Sequence, residues 1–335
     1  MPLDPLGLHH VTAIASDPQR NADFYARTLG MRLLKQTVNF DAPDVYHLYY
    51  GDAQGAPGTV MTFFPWPGTP RGRRGTGQAT TTSFSVPERS LGWWRERLSG
   101  MGLALTDVEE RAEAQEEAFS FTDPDGLLIE LVAHAAGADG GTAWEGSEVP
   151  APHQIRALHS VTLTESGIGA SHELFTDLLG LEVLAESADR IRYGVGGGGP
   201  GRQLDVVLAP AAPKGLVAGG TVHHLAWRAA TDASEVALRG ELVDAGVSVT
   251  PVIDRQYFHS IYFREPGGVL FEVATDAPGF DTDEPLLELG RRLQLPPWLE
   301  PNREQIRAAL VPLRLPDAQE AADRRAAASA GGGPA

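Results

Sequence analysis

A plan of about 55 residues recurs four times in this chain, and that repeat restricts the fold more than any local propensity can. The run HHVTAIASDPQRNADFYARTLGMRLL (9–34) has a counterpart in HSVTLTESGIGASHELFTDLLGLEVL (159–184). Both read as a strand, a polar break, a helix with apolar residues at helical spacing, Leu-Gly, and a second strand. TTSFSVPERSLGWWRERLSGMGLAL (81–105) and HHLAWRAATDASEVALRGELVDAGVSV (223–249) share the plan. Each unit closes on a turn and an apolar or alternating strand: GTVMTFF (58–64), DPDGLLIELVAH (123–134), GRQLDVVLA (201–209) and EPGGVLFEVAT (265–275). Asp-Pro-Asp-Gly and Glu-Pro-Gly-Gly are turn chemistry. The units are therefore βαβββ, of α+β class, and each is too small to bury its own sheet face. They must combine in pairs.

The spacing of the units predicts modules one and two over 1–135, a Gly/Pro-rich linker over 136–152, and modules three and four over 153–280. A helical extension is expected over 281–316, with short helices at 286–294 and 302–313, followed by a disordered Ala/Gly-rich tail at 317–335. Cysteine is absent, which excludes disulfides, thiolate metal sites and cysteine nucleophiles. Any metal must be held by nitrogen and oxygen. A formal net charge of −17 disfavours nucleic acid and anionic membranes as partners. No apolar run has the length of a membrane span, and MPLDPLGLHH has no signal-peptide pattern, so a cytoplasmic location is expected. Arg71, Arg73 and Arg74 form a local basic cluster in a Pro/Gly-rich loop, readable as a solvated loop or as an anion site.

Aligning the units turns ten histidines into a test. His9 pairs with His159 and His10 with Ser160, so the third unit keeps the outer histidine and lacks the inner one. The fourth unit restores the doublet as His223-His224, while the second offers Thr81, Thr82 or Ser83. In the closing strands, the fourth residue after the turn glycine is Thr62, Glu130, Asp205 and Glu272 in chain order. Units one and four thus supply two imidazoles and a carboxylate, His10, His224 and Glu272. That donor set can occupy one face of an octahedral ion and leave positions open for substrate and dioxygen. A lone strand histidine is more often a structural residue than a ligand, but two doublets at equivalent repeat positions weaken that alternative. Glu272 has apolar flanks on both sides, and a buried unpaired carboxylate is costly unless an ion compensates it. Glu130 has similar flanks and no imidazoles, so it is expected to be hydrogen-bonded internally. Because successive strand residues face opposite sides, His9 and His223 are expected beside the ion or on the other face.

These residues resemble the vicinal oxygen chelate superfamily, and within it the ring-cleaving dioxygenases that open hydroquinones. The resemblance rests on LHHVT (8–12), FDAPDVYHLYYGD (40–52), GTVMTFFP (58–65), HHLAW (223–227) and IYFREPGGVLFE (261–272). It implies two cup-shaped, incomplete β-barrel domains, and a ferrous ion held by His10, His224 and Glu272, with Mn, Zn or Ni as alternative occupants of a purified sample. It also implies a small aromatic substrate and dioxygen as reactants, and leaves self-association into a homo-oligomer open. His9, His223, Tyr262 and His259 are candidates for proton transfer, and Arg255 for stabilising anionic oxygen. Two other readings stay open: a glyoxalase-type isomerase or lyase, disfavoured because Thr62 stands where a second carboxylate ligand is expected, and a non-enzymatic binder of small aromatics. Trp227, Phe258 and Phe263 suit either a ring pocket or a core.

Overall fold

The computed structural model describes residues 7–111, 116–134 and 140–315. The tail at 317–335 and the start of the linker at 136–139 lie outside the described residues. Unit one contains β1 (Leu8–Ala15), α1 (Pro18–Ala22) running into a π-helical turn (Asp23–Thr28), β2 (Arg32–Asn39), β3 (Ala42–Gly51) and β4 (Val60–Pro65). Unit two contains β5 (Gln78–Pro87), α2 (Leu91–Gly100), β6 (Glu109–Arg111), β7 (Glu116–Thr122) and β8 (Leu128–His134). Unit three contains β9 (Ala157–Glu165), α3 (Gly169–Glu173) with a second π-helical turn (Leu174–Leu178), β10 (Glu182–Glu186), β11 (Arg190–Gly194) and β12 (Gln203–Leu208). Unit four contains β13 (Thr221–Ala229), α4 (Asp232–Asp244), β14 (Ile253–Asp254), β15 (Phe258–Arg264) and β16 (Leu270–Pro278). Helix starts follow local chemistry: Asp17 caps the Arg20 amide at 2.7 Å with Pro18 in the first turn, and Thr231 with Ser234 forms a reciprocal cap on α4.

Strand order shows how the units pair. One eight-stranded sheet runs β14-β15-β16-β13-β1-β4-β3-β2, joining units one and four. The other runs β10-β11-β12-β9-β5-β8-β7-β6, joining units two and three. Within a unit the first and last strands are parallel, and units meet through antiparallel first strands, β1 with β13 and β5 with β9. The two curled sheets are the two cups. Their outer faces share a core in which Phe175 of unit three stacks on Phe271 of unit four. Trp227 and Phe263 belong to this core, both contacting Phe271. Burying rings of this size contributes roughly 2 to 3 kcal/mol each.

Past β16 the chain turns back on the first cup. A short helix, α5 (Arg303–Ala309), lies within the expected 302–313 segment, whereas 286–294 forms only one 3-10 turn (Leu286–Glu288). Pairing outward explains this. Gln294 donates its amide to the Gln36 carbonyl at 2.9 Å, so this stretch meets β2 through its backbone. The loop carrying Arg71, Arg73 and Arg74 is likewise paired, through bridges from Arg71, Arg73 and Thr76 to Gly219, Leu216 and Lys214. It is a connector between units.

One seam between the cups contains a carboxyl pair. Glu265, in the turn before β16, accepts hydrogen bonds from Ser171 Oγ at 2.6 Å and from the Gly267 and Val269 amides, each at 2.8 Å. Glu165, at the end of β9, is 1% exposed and lies close enough to Glu265 for the two carboxyls to interact, with its own Oε1 buried and without a hydrogen-bond partner. A Cβ at position 267 would lie 2.1 Å from Glu165 Oε2, so a side chain there would have to displace the Glu165 carboxyl. Burial, reinforced by Glu265, pushes the Glu165 carboxyl up to about 8, against about 4.3 in an unfolded chain. Between those values the folded state holds a proton that the unfolded state has released, so stability falls as pH rises through the window and levels off above it. Glu165→Gln removes that slope. Its melting temperature should match the wild type near pH 4.5 and exceed it increasingly up to pH 8; parallel curves from pH 5 to 9 would contradict the assignment.

Candidate metal centre

Three neighbouring strands set the geometry. In one row of the first cup His10 faces Ala226 across β1–β13, and Ala226 faces Glu272 across β13–β16. His224, two residues before Ala226 on β13, shares its face and sits opposite Thr12. The ligand candidates therefore surround a small, fully buried alanine. Their donor atoms all lie within 4.8 Å of one another. His224 Nε2 is 2.8 Å and His10 Nε2 3.2 Å from Glu272 Oε2. Ligands about 2.1 Å from an ion at right angles stand about 3 Å apart, so this spacing suits a shared cation.

Hydrogen bonding supports the same fit. Both Glu272 oxygens are buried, and although His224 and His10 nitrogens approach Oε2, neither oxygen has a hydrogen-bond partner of acceptable geometry. Burial opposes ionisation of Glu272, but the His10 and His224 rings outweigh it and hold the carboxyl well below its usual range. Burial also lowers His224. A divalent cation takes neutral imidazoles and an ionised carboxylate, so it would hold Glu272 charged without protonating either ring.

The doublets reach the cluster through β-bulges. Leu8 pairs with Trp227 and His10 with Ala226, leaving His9 as the extra residue; His223 is the extra residue between Val222 and His224. A bulge re-aims a side chain that strict alternation would send to the other face. His9 and His223 accordingly lie beside their neighbours, with Nδ1 to Nδ1 distances of 2.9 Å to His10 and 2.7 Å to His224. A histidine that gives its Nε2 lone pair to a metal carries its proton on Nδ1, so with an ion bound His10 and His224 would each donate to the preceding ring. Burial, with the adjacent imidazole, lowers both His9 and His223 to about 3 and keeps them neutral.

Tyr262, opposite Glu272 on β15, faces the cup with its ring 5.8 Å from His224. Its oxygen accepts from Arg255 Nε at 3.1 Å and from Ser260 Oγ at 3.1 Å, and burial keeps the phenol protonated. Arg255 also reaches Asp41, at the β2–β3 hairpin tip, at 3.0 Å. Phe258 packs against His9 and His10 at 5.3 and 5.2 Å. His259 is not brought to the cluster. Its ring pairs with Asp232 at the start of α4, 2.8 Å away and partly exposed, because alternation along β15 turns it from the face of Ser260 and Tyr262.

Sequence reasoning passed over His47 and Tyr49 on β3. His47 Nδ1 lies 2.8 Å from the Tyr49 hydroxyl and its Nε2 2.8 Å from Thr62 Oγ1; Thr62 in turn bonds Thr12 at 2.8 Å. The clue was their i, i+2 spacing in VYHLYY, which places both on the face of Thr62.

The second cup repeats the architecture without the chemistry. Its register sets Ser160 in the place of His10, Thr81 in that of His224, Glu130 in that of Glu272 and Asp205 in that of Thr62. His159 is bulged as His9 is, and bonds Ser160 and Glu116. Glu130 accepts from Ser83 and Arg111, and Asp205 from Arg190 and Arg192. Guanidinium groups stand in for an ion. Among the described residues only the first cup gathers a metal-holding cluster.

The sequence profile of the Glyoxalase/Bleomycin resistance protein/Dioxygenase superfamily matches residues 7–131 and 157–273, most of the chain. The chain belongs to this superfamily. A superfamily relative, the Bacillus subtilis (strain 168) protein named "Putative ring-cleaving dioxygenase MhqO", is 42% identical over 310 residues, covering 92% of this chain and 97% of its own. The chlorohydroquinone/hydroquinone 1,2-dioxygenase of Sphingobium indicum is 34% identical over 309 residues, covering 90% and 94%. A solved structure from Bacillus subtilis subsp. subtilis str. 168, described as a "putative dioxygenase", aligns with TM-score 0.87 at 41% identity over 94% of this chain and 99% of that one. No helix among the described residues is long and apolar enough to cross a membrane.

Proposed function

We propose that this protein is an Fe(II)-dependent ring-cleaving dioxygenase that inserts both atoms of dioxygen into a hydroquinone-like dihydroxybenzene. The observation that carries the reading is the buried His10, His224, Glu272 cluster with its unpartnered carboxylate, in a chain 34% identical to a hydroquinone 1,2-dioxygenase. Thr62 favours it over glyoxalase-type chemistry, since the position that would hold a second carboxylate is a hydroxyl bonded to Thr12 and His47.

When bound, the ferrous ion lowers the pKa of a ring hydroxyl and lets triplet dioxygen accept electrons from the singlet ring. Everything else falls to the chain. His9 and His223 fix the tautomer and tilt of the two ligand rings through their Nδ1 contacts. The Tyr262 oxygen already accepts two hydrogen bonds, so its own proton is free to be donated into the cup. Arg255 places positive charge behind that phenol, where it stabilises oxygen that becomes anionic. Phe258 packs against the His9 and His10 rings and limits their rotation.

The test is direct. Apoprotein reconstituted anaerobically with Fe(II) and then given air with hydroquinone, methylhydroquinone or catechol should consume dioxygen and produce the absorbance of a ring-opened product. Absence of uptake with every dihydroxybenzene would refute the proposal.

A further inference from the structure

The wall of the first cup opposite Tyr262 carries polar chemistry that the metal ligands and their supports leave unused. By register, Thr62 lies in the row of Thr12 and His224, and Tyr49 is the partner of Thr62 on β3. Thr62, Tyr49 and His47 therefore share the inner face. Thr12 and Thr62 are fully buried and Tyr49 is 1% exposed, while His47 is half-buried with its ring 4.3 Å from Phe64. Both His47 nitrogens are engaged, one by each hydroxyl, in a continuous chain from Tyr49 through His47 to Thr62 and Thr12. The titratable and charged groups that act on His47 are those of the site itself: His10, His224, Arg255 and Glu272. Burial keeps its ring neutral at rest, so one of the two nitrogens carries a proton and the other accepts a hydrogen bond from its hydroxyl partner.

We propose that Thr62, His47 and Tyr49 form a proton relay serving the metal cup, in which the Thr62 hydroxyl meets a hydroxyl of the bound dihydroxybenzene and His47 is the base behind it. The inference rests on the dioxygenase reading and adds to it. In the step, the ring O–H bond breaks and its electron pair stays on the ring oxygen. Thr62 Oγ1 takes that proton as its own passes to His47 Nε2, and Tyr49 accepts a hydrogen bond from Nδ1. No electrons are exchanged with the protein. Substrate plus dioxygen and the ring-opened product contain the same hydrogens, so the proton is on loan and returns to product oxygen by the same path. His47 acts through Thr62 and positions it; Thr62 is the group that touches substrate.

Thr62→Val, His47→Asn and Tyr49→Phe keep shape while cutting the chain at successive links. Iron content should equal the wild type in all three. For Thr62→Val and His47→Asn, kcat should fall about 100-fold or more, KM should move little, and the limb of the pH profile due to the relay should disappear. The double variant should be no worse than either single, since a broken chain cannot be broken twice. A readout without turnover comes from anaerobic binding of nitrohydroquinone, whose absorbance changes on ionisation: in both variants the bound probe should ionise at higher pH than in the wild type. Tyr49→Phe should give a smaller loss of the same kind. The relay is overturned if Thr62→Val turns over within threefold of the wild type with an unchanged probe titration, or if His47→Asn is inactive while Thr62→Val is not. Should His47→Asn fail to fold, Thr62→Val decides alone. A wild type inactive on every dihydroxybenzene, yet still ionising the bound probe in a Thr62-dependent way, would sink the dioxygenase reading and leave the relay standing.

Discussion

Glu272→Gln should yield a folded protein that retains Fe(II) at least about 100-fold more weakly than the wild type, a larger loss than removing a group that merely supports a ligand. Because the His10 and His224 rings hold the Glu272 carboxyl well below its usual range, the carboxylate also stabilises the metal-free fold at neutral pH, and Glu272→Gln should lower the apo melting temperature there, with the gap closing as the pH falls below about 4.3, the unfolded carboxyl value. A purely structural carboxylate would show the same apo effect and leave iron binding alone. His10→Ala and His224→Ala should also abolish iron retention, whereas Ser160→Ala, at the equivalent place in the second cup, should not. Metal analysis after gel filtration and apo melting curves decide the matter: full iron stoichiometry in Glu272→Gln would remove the basis of the proposed function.

Repetition made part of this legible in sequence. Four copies of one plan could be compared at each position, which is why the pairing of units one and four and the convergence of His10, His224 and Glu272 could be read before any coordinates. The internal bonding of Glu130 followed from the same comparison. What lay hidden depends on relations between strands. Whether His9 faces the cluster or the core is decided by a bulge, and a bulge is a property of two strands in register, not of the letters on one. His47 stands once in the chain without a counterpart histidine at Arg190, so comparing units could not single it out. His259 misled because its neighbours are site residues, although each step along a strand reverses the face. Lys35 was invisible for a different reason: its partners come 248 and 249 residues later.

Lys35→Met should destabilise the protein by about 3 to 5 kcal/mol, the usual cost of removing one partner from a buried ion pair. Lys35 lies in the strand RLLKQTVN and is fully buried, with Nζ 2.7 Å from Asp283 Oδ1, 2.6 Å from Glu284 Oε1, and 4.9 Å from the centre of the Tyr257 ring. Tyr257 donates to the other Asp283 oxygen at 3.0 Å, and Glu284 also accepts from Gly290 N and Gln294 Nε2. One ammonium thus neutralises two carboxylates and ties the segment after β16 to β2. Methionine fills the volume but leaves both acids facing each other without a counter-charge, and their repulsion falls where the extension docks. Lys35→Met/Asp283→Asn/Glu284→Gln should recover most of the loss, since replacing every charge at once leaves none uncompensated. Urea denaturation measures the stabilities, and limited proteolysis should place the first cut of Lys35→Met in the extension. Iron retention should persist where the variant is folded, because Lys35 touches no ligand. A single variant within about 0.5 kcal/mol of the wild type, in the range of an ordinary surface substitution, would mean that packing of Phe280 and Leu289 against Tyr49 and Leu34 holds the extension without the ion pairs.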